Sequence, residues 1–169
     1  SMTYQEIAYE VISPYIDSTL SDEDLKAIIK KSYSCFDNTE ITPLTKLDNK
    51  NYLLELYHGP TYAFKDVAMQ FISQLMNFYL NENKQSINIL GATSGDTGAA
   101  AIEGFKNVKL AKIFILHPYN KISEVQRKFM TTIKSENVFN IAIKGSFDDC
   151  QNIIKKIFSD NDYKKEKSL

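Results

Sequence analysis

The sequence predicts an α/β fold, a parallel βαβ sheet lobe preceded by a helical N-terminal segment. Two observations carry that reading. The first third has helical apolar spacing, with Ile7, Val11 and Ile12 on one face and Leu25, Ile28 and Ile29 on another. From Ser86 onward, the apolar runs INIL (87–90), KIFIL (112–116) and VFNIAI (138–143) each lead into a helix-patterned stretch. Strands alternating with helices at this spacing mean βαβ units, with a parallel sheet covered on both faces.

Taken in order, residues 3–16 read as a helix interrupted at Pro14. Ser21 opens a second helix, with Asp24 three residues on as its capping partner. Residues 39–51, containing Pro43 and a turn at Asp48 and Asn49, form a connector. NYLLELY (51–57) reads as a strand that His58, Gly59 and Pro60 break. The helix expected over 66–80 is apolar around most of its circumference (Val67, Ala68, Phe71, Ile72, Leu75, Met76, Tyr79), so burial between layers is expected. In the βαβ part the helices fall at 98–106, 123–133 and 147–158. Ser123 with Gln126, and Ser146 with Asp149, mark the entries of the last two. The expected division is 1–85, the helical segment and the start of a larger domain; 86–160, a small βαβ lobe; and 161–169, a loose tail.

A chain of 169 residues fits one ordinary domain or two small lobes. Its 43% hydrophobic content allows a core without disulfides or metals. The net charge of -1, with both signs interspersed, supplies no electrostatic footprint for nucleic acid or an anionic membrane. The cluster Lys164, Lys165, Glu166 and Lys167 reads as a solvated end. No apolar run approaches the ~20 residues that span a bilayer, and nothing resembles a signal peptide, so a cytoplasmic protein is expected. Ser1 ahead of Met2 reads as a residue left by tag removal. Cys35 and Cys150 form no metal-ligand spacing, and Cys150 falls on the apolar rhythm of its helix, as a buried thiol would. His58 and His117 each sit beside a proline or glycine turn, where a structural or substrate-facing role is expected rather than metal ligation.

Two motifs carry chemistry. In HGPTYAFKD (58–66) a Gly-Pro turn delivers the chain to Lys65 at the entry of the apolar helix. Taken alone, this also fits a solvated lysine followed by Asp66 as an N-terminal helix charge. A partly desolvated amine favours its neutral form, which is the form that condenses with an aldehyde. In GATSGDTG (91–98) a Gly-rich turn follows a strand and opens an Ala-rich helix. Glycines allow close backbone approach, and the helix N-terminus offers unpaired N–H groups to an anion. The turn also fits an ordinary strand-to-helix connection in which Asp96 or Thr97 caps the helix. It is neither a P-loop nor a dinucleotide fingerprint.

Together, in this order, the pairing of HGPTYAFKD with ILGATSGDTGAAAIEGF (89–105) resembles the threonine synthases, most of all the branch of enteric bacteria and fungi. LHPYNKISEVQRKFMTT (116–132) and NVFNIAIKGSFDDCQNIIKKIF (137–158) also look like segments of that family, and the likeness runs over 4–159. The resemblance implies a pyridoxal 5′-phosphate (PLP) enzyme of fold type II, the tryptophan-synthase-β type. It implies that Lys65 is the catalytic lysine holding the cofactor as a Schiff base, positioned by Phe64 and Asp66. It implies that Phe64 and Asp96 contact the cofactor, and that Thr93, Ser94, Gly95, Asp96 and Thr97 receive the substrate carboxylate. Many relatives of the wider fold type carry Asn where Asp96 stands. The implied reaction converts O-phospho-L-homoserine and water to L-threonine and phosphate by γ-elimination and β-addition, a carbon–oxygen lyase activity in threonine biosynthesis. Freed Lys65 would serve as general base at the α-carbon.

Members of this family are much longer, and no second Gly-rich loop follows Gly145 to bind the cofactor's phosphate. The chain is therefore expected to be a fragment that holds the lysine without the whole cofactor cradle. Two alternatives stand beside this reading: a non-catalytic threonine-synthase-like module that binds a phospholigand, and a nucleotide-binding α/β domain using only the 91–98 loop.

Overall fold

Short-range capping sets where the chain becomes helical. The computed structural model describes residues 2–169. Helix α1 (Tyr4–Ile12) starts at a capping box, in which Glu6 Oε2 accepts from the Thr3 N–H at 2.6 Å and Thr3 Oγ1 accepts from the Glu6 N–H at 3.3 Å. The expected helix to residue 16 ends at Ile12, because Pro14 cannot donate to the ladder and the chain tightens into a 3-10 turn over Ser13–Tyr15. The inward face also differs from the expected one. Ile7 and Val11 are exposed, and Tyr4, Ala8 and Ile12 turn inward. The Tyr4 ring packs edge-on to Tyr33 with centroids 4.9 Å apart, an aromatic contact that Ile7 could not make.

Helix α2 (Asp22–Tyr33) begins at Ser21, whose hydroxyl accepts from the Asp24 N–H at 3.1 Å. Its buried stripe of Leu25, Ile28 and Ile29 is the one expected. Full burial of each such side chain stabilises by about 2 kcal/mol. The stripe packs against Val67, Phe71, Leu75 and Phe78 of α3 (Asp66–Asn83). The other flank of α3 sends Met69, Met76 and Leu80 into a second core.

The helix therefore lies between layers, but not with the all-round apolar burial expected. Ala68 and Ile72 are exposed, and the polar Gln70 and Ser73 are buried. Close approach of the next helix explains the exchange. A Cβ at Gly104 would stand 3.0 Å from both the Met69 carbonyl oxygen and Ser73 Oγ, so only small residues fit along this contact.

The strand expected over 51–57 shrinks to β2 (Tyr52–Leu54), which pairs antiparallel with β1 (Leu44–Lys46) from within the expected connector. Asp48 Oδ1 accepts from the Lys50 and Asn51 N–H groups at 2.8 and 2.9 Å, which closes the turn between them. Leu44, Tyr52, Leu53 and Leu54 remain exposed on this hairpin.

Three parallel strands, β3 (Ile87–Ala92), β4 (Ala111–Pro118) and β5 (Val138–Ile143), lie in the order β3-β4-β5. They alternate with α4 (Asp96–Phe105), α5 (Glu124–Thr131) and α6 (Phe147–Ser159), as the sequence predicts. Ile113 and Ile115 of β4 enter a core with Ile102 and Phe105 of α4 and Met130 of α5. Alternation turns Phe114 the other way, where it stacks on Phe139 with centroids 4.6 Å apart. α6 lies across β3 and β4 with Cys150 fully buried, and both expected capping boxes, Ser123 with Gln126 and Ser146 with Asp149, are present.

Residues 161–169, expected as a loose tail, carry a short helix α7 (Asn161–Glu166). Its end is tied to the sheet: the Asn88 N–H donates to the Ser168 carbonyl at 2.8 Å, and Asn88 Nδ2 donates to the Lys167 carbonyl at 2.5 Å. Among the described residues no helix is long and apolar enough to cross a membrane.

Candidate active site

The lysine-bearing turn is built around a buried carboxylate. Asp66, the first residue of α3, is fully buried, and its two oxygens accept from the Thr61 N–H and the Thr61 hydroxyl, each at 2.7 Å. Burial pushes the Asp66 carboxyl above its ordinary value, against the opposing pull of these hydrogen bonds. Gly59 must lack a side chain, because a Cβ there would collide with the Asp66 side chain. Tyr62 adopts φ +57°, which brings its ring edge-on to Phe129 of α5 at 6.1 Å.

This knot fixes the backbone of Lys65, the N-cap residue of α3. The Lys65 side chain is half-buried, with Nζ 4.5 Å from the centroid of the Phe64 ring, and Phe64 itself is exposed. Among the described residues no hydrogen bond joins Lys65 Nζ to the glycine loop. What links the two motifs is the α3–α4 contact through Gly104.

His58 anchors the other end of the turn. Its Nδ1 lies 2.7 Å from Asp37 Oδ1 and its Nε2 lies 2.8 Å from Glu55 Oε2, and the Asp37 N–H donates to the His58 carbonyl at 3.0 Å. Two carboxylates can both be satisfied only when both ring nitrogens carry protons. Hydrogen bonds to Glu55, then to Asp37, accordingly raise the His58 pKa. Of the two roles expected for His58, the geometry is that of the structural one. His117 lies buried at the end of β4, with Nδ1 lacking a hydrogen-bond partner.

The glycine loop sits where β3 gives way to α4, at the C-terminal edge of the parallel sheet. Thr93 is buried, and its hydroxyl accepts from the Gly95 and Gly98 N–H groups at 3.0 and 2.9 Å. It therefore caps α4 from inside, a task that the alternative reading of the turn gives to Asp96 or Thr97. The N-cap position is Gly95 at φ +147°, with no side-chain cap. Ser94, Asp96 and Thr97 are exposed. Among the described residues the N–H groups of Ser94, Asp96 and Thr97 have no hydrogen-bond partner. Unpaired donors at a helix N-terminus form a receptor for an anion such as a carboxylate.

The Asp96 side chain is drawn instead toward α5, where Gln126 Nε2 donates to Asp96 Oδ1 at 2.7 Å. Gln126 is legible in the sequence only as a capping residue. Its reach to Asp96 depends on the C-terminal ends of β3 and β4 standing side by side, which brings the entries of α4 and α5 together.

A family model described as the threonine synthase N terminus matches residues 1–33. Threonine synthase from Pseudomonas aeruginosa is 44% identical over 164 residues, covering 97% of this chain and 35% of that protein. The enzyme from Saccharomyces cerevisiae is 45% identical over 175 residues, covering 96% and 34%. The chain belongs to the threonine synthase family.

Solved threonine synthases share the fold of this chain. The PLP-bound enzyme from Brucella melitensis superposes with a TM-score of 0.93 at 40% identity, over 100% of this chain and 36% of that one. The yeast threonine synthase superposes with a TM-score of 0.89 at 43% identity, over 96% and 35%. The chain thus spans about a third of the length of the threonine synthases it matches.

Proposed function

We propose that this chain forms the lysine-bearing part of a threonine synthase that converts O-phospho-L-homoserine and water to L-threonine and phosphate, as a cytoplasmic biosynthetic enzyme. The observation that carries the reading is the placement of Lys65 at the entry of α3, in a fold that superposes on a PLP-bound threonine synthase with a TM-score of 0.93. In this reading residues 1–85 begin the larger domain, and 86–160 form the small lobe.

The donor set fits one end of PLP and its substrate. Lys65 offers a half-buried primary amine, Phe64 lies against it, and the glycine loop leaves three N–H groups without partners. Lys65 would hold the cofactor through Nζ, and Phe64 and Asp96 would contact it. When bound, PLP supplies an electron sink for the substrate α-carbon.

The residues of the chain do the rest. Lys65 Nζ, freed when substrate binds, takes the proton from the α-carbon. The N–H groups of Ser94, Asp96 and Thr97 and the hydroxyls of Ser94 and Thr97 bind the substrate carboxylate and orient that carbon toward the lysine. Thr93 holds the loop in shape from beneath, and Asp66 fixes the backbone from which Lys65 projects.

Absorbance of the protein after addition of PLP tests the reading. Full-length wild type should develop a cofactor band that Lys65→Ala abolishes, and should release phosphate from O-phosphohomoserine only with Lys65 intact. A band that survives in Lys65→Ala would overturn the assignment.

A further inference from the structure

Gln126 uses both ends of its side-chain amide. The carbonyl end accepts from the Ser123 hydroxyl at 3.0 Å and the Ser123 N–H at 3.4 Å, and the amino end donates to Asp96 Oδ1 at 2.7 Å. The partners dictate this orientation, since a backbone N–H only donates and an ionised carboxylate only accepts. The amide also lies over Gly95, where a Cβ would collide with it. One side chain therefore interlocks the start of α5 with the loop that opens α4.

Asp96 occupies the first turn of α4, where a free carboxylate would lie among the helix's unpaired donors. There it would satisfy those donors itself or repel an incoming anion. We propose that Gln126 is a positioning residue for the substrate site: it holds the Asp96 carboxylate against α5 and so leaves the Ser94, Asp96 and Thr97 N–H groups to the substrate's own carboxylate. This rests on the threonine synthase reading above. Gln126 touches neither cofactor nor substrate in this account and acts through Asp96.

The capping and latching roles separate cleanly. Glutamate is the ordinary alternative to glutamine in a capping box, so Gln126→Glu keeps an acceptor for Ser123. It also replaces the donor to Asp96 with a like charge. Adding Asp96→Asn restores the bond with its polarity reversed, the new amide donating to the new carboxylate.

The test uses full-length protein loaded with PLP and compares wild type, Gln126→Glu, Asp96→Asn and the double variant. Gln126→Glu should weaken L-threonine binding, measured by calorimetry, about tenfold, the size of one charge-assisted hydrogen bond. It should raise KM for O-phosphohomoserine in parallel, with the melting temperature near wild type. The double variant should recover most of the binding. Unchanged threonine binding in Gln126→Glu overturns the inference, as does a loss that tracks melting temperature and is not recovered in the double variant. A wild type that takes up no PLP overturns the enzyme reading and this inference together. A loaded wild type with a silent Gln126→Glu overturns the inference alone.

Discussion

Asp66 and Thr61 form a closed pair five residues apart, with the Thr61 N–H and hydroxyl each donating to the Asp66 carboxylate at 2.7 Å. The pair encloses the turn that ends at Lys65. Asp66→Ala would leave the buried Thr61 N–H without an acceptor, at a cost of about 2 kcal/mol in denaturant unfolding. Asp66→Asn keeps one acceptor and should stay within about 1 kcal/mol of wild type. Because burial raises the Asp66 pKa, its contribution to stability is complete below the unfolded value and falls as pH rises through the folded value. Asp66→Asn should remove that acid-side slope, and a slope unchanged in the variant would refute the assignment.

The clamp of His58 between Glu55 and Asp37 predicts a second pH dependence, of the same sign and at higher pH. The folded pKa is raised, so the clamp stabilises fully below the unfolded histidine value of about 6.5. Its contribution disappears as pH climbs through the raised folded value. In a pH series of unfolding midpoints, His58→Phe should fall below wild type under mildly acidic conditions and converge with it under alkaline ones. Curves that stay parallel throughout would show that the imidazolium contributes nothing.

Thr93 supplies the clearest separation of packing from hydrogen bonding in the glycine loop. Thr93→Val preserves shape and the methyl contact with Gly98 but removes the acceptor for two N–H groups. It should cost about 2 kcal/mol, in the range of a lost helix cap. Thr93→Ser keeps the acceptor and should lose about 0.8 kcal/mol, the value of one buried methyl. Urea unfolding of the two variants would decide between them, and a more stable Thr93→Val would contradict the capping role.

Local interactions made much of this fold legible. Ser123 with Gln126 and Ser146 with Asp149 lie three residues apart, so their capping boxes could be read directly, and β5 falls on its apolar run. Local spacing misleads where a distant partner decides the outcome. Tyr4 rather than Ile7 faces inward because Tyr33 is there to receive it. Ser73 is buried because Gly104 brings another helix against it. β1 exists because β2 folds back to pair with it. The candidate site follows the same rule. Lys65 and residues 93–97 stand out as motifs, whereas the contacts of His58 to Asp37 and of Gln126 to Asp96 span 21 and 30 residues. No local pattern encodes such contacts.

The bonds from Asn88 to the carbonyls of Lys167 and Ser168 have a consequence for how copies of the protein meet. β3 is an outer strand, and the unpaired backbone row of an outer strand is a template for recruiting another chain. At Asn88 that row is already taken by residues of the same molecule. Residues 167 and 168 thus cover the β3 edge at Asn88, where a strand from another copy could otherwise pair.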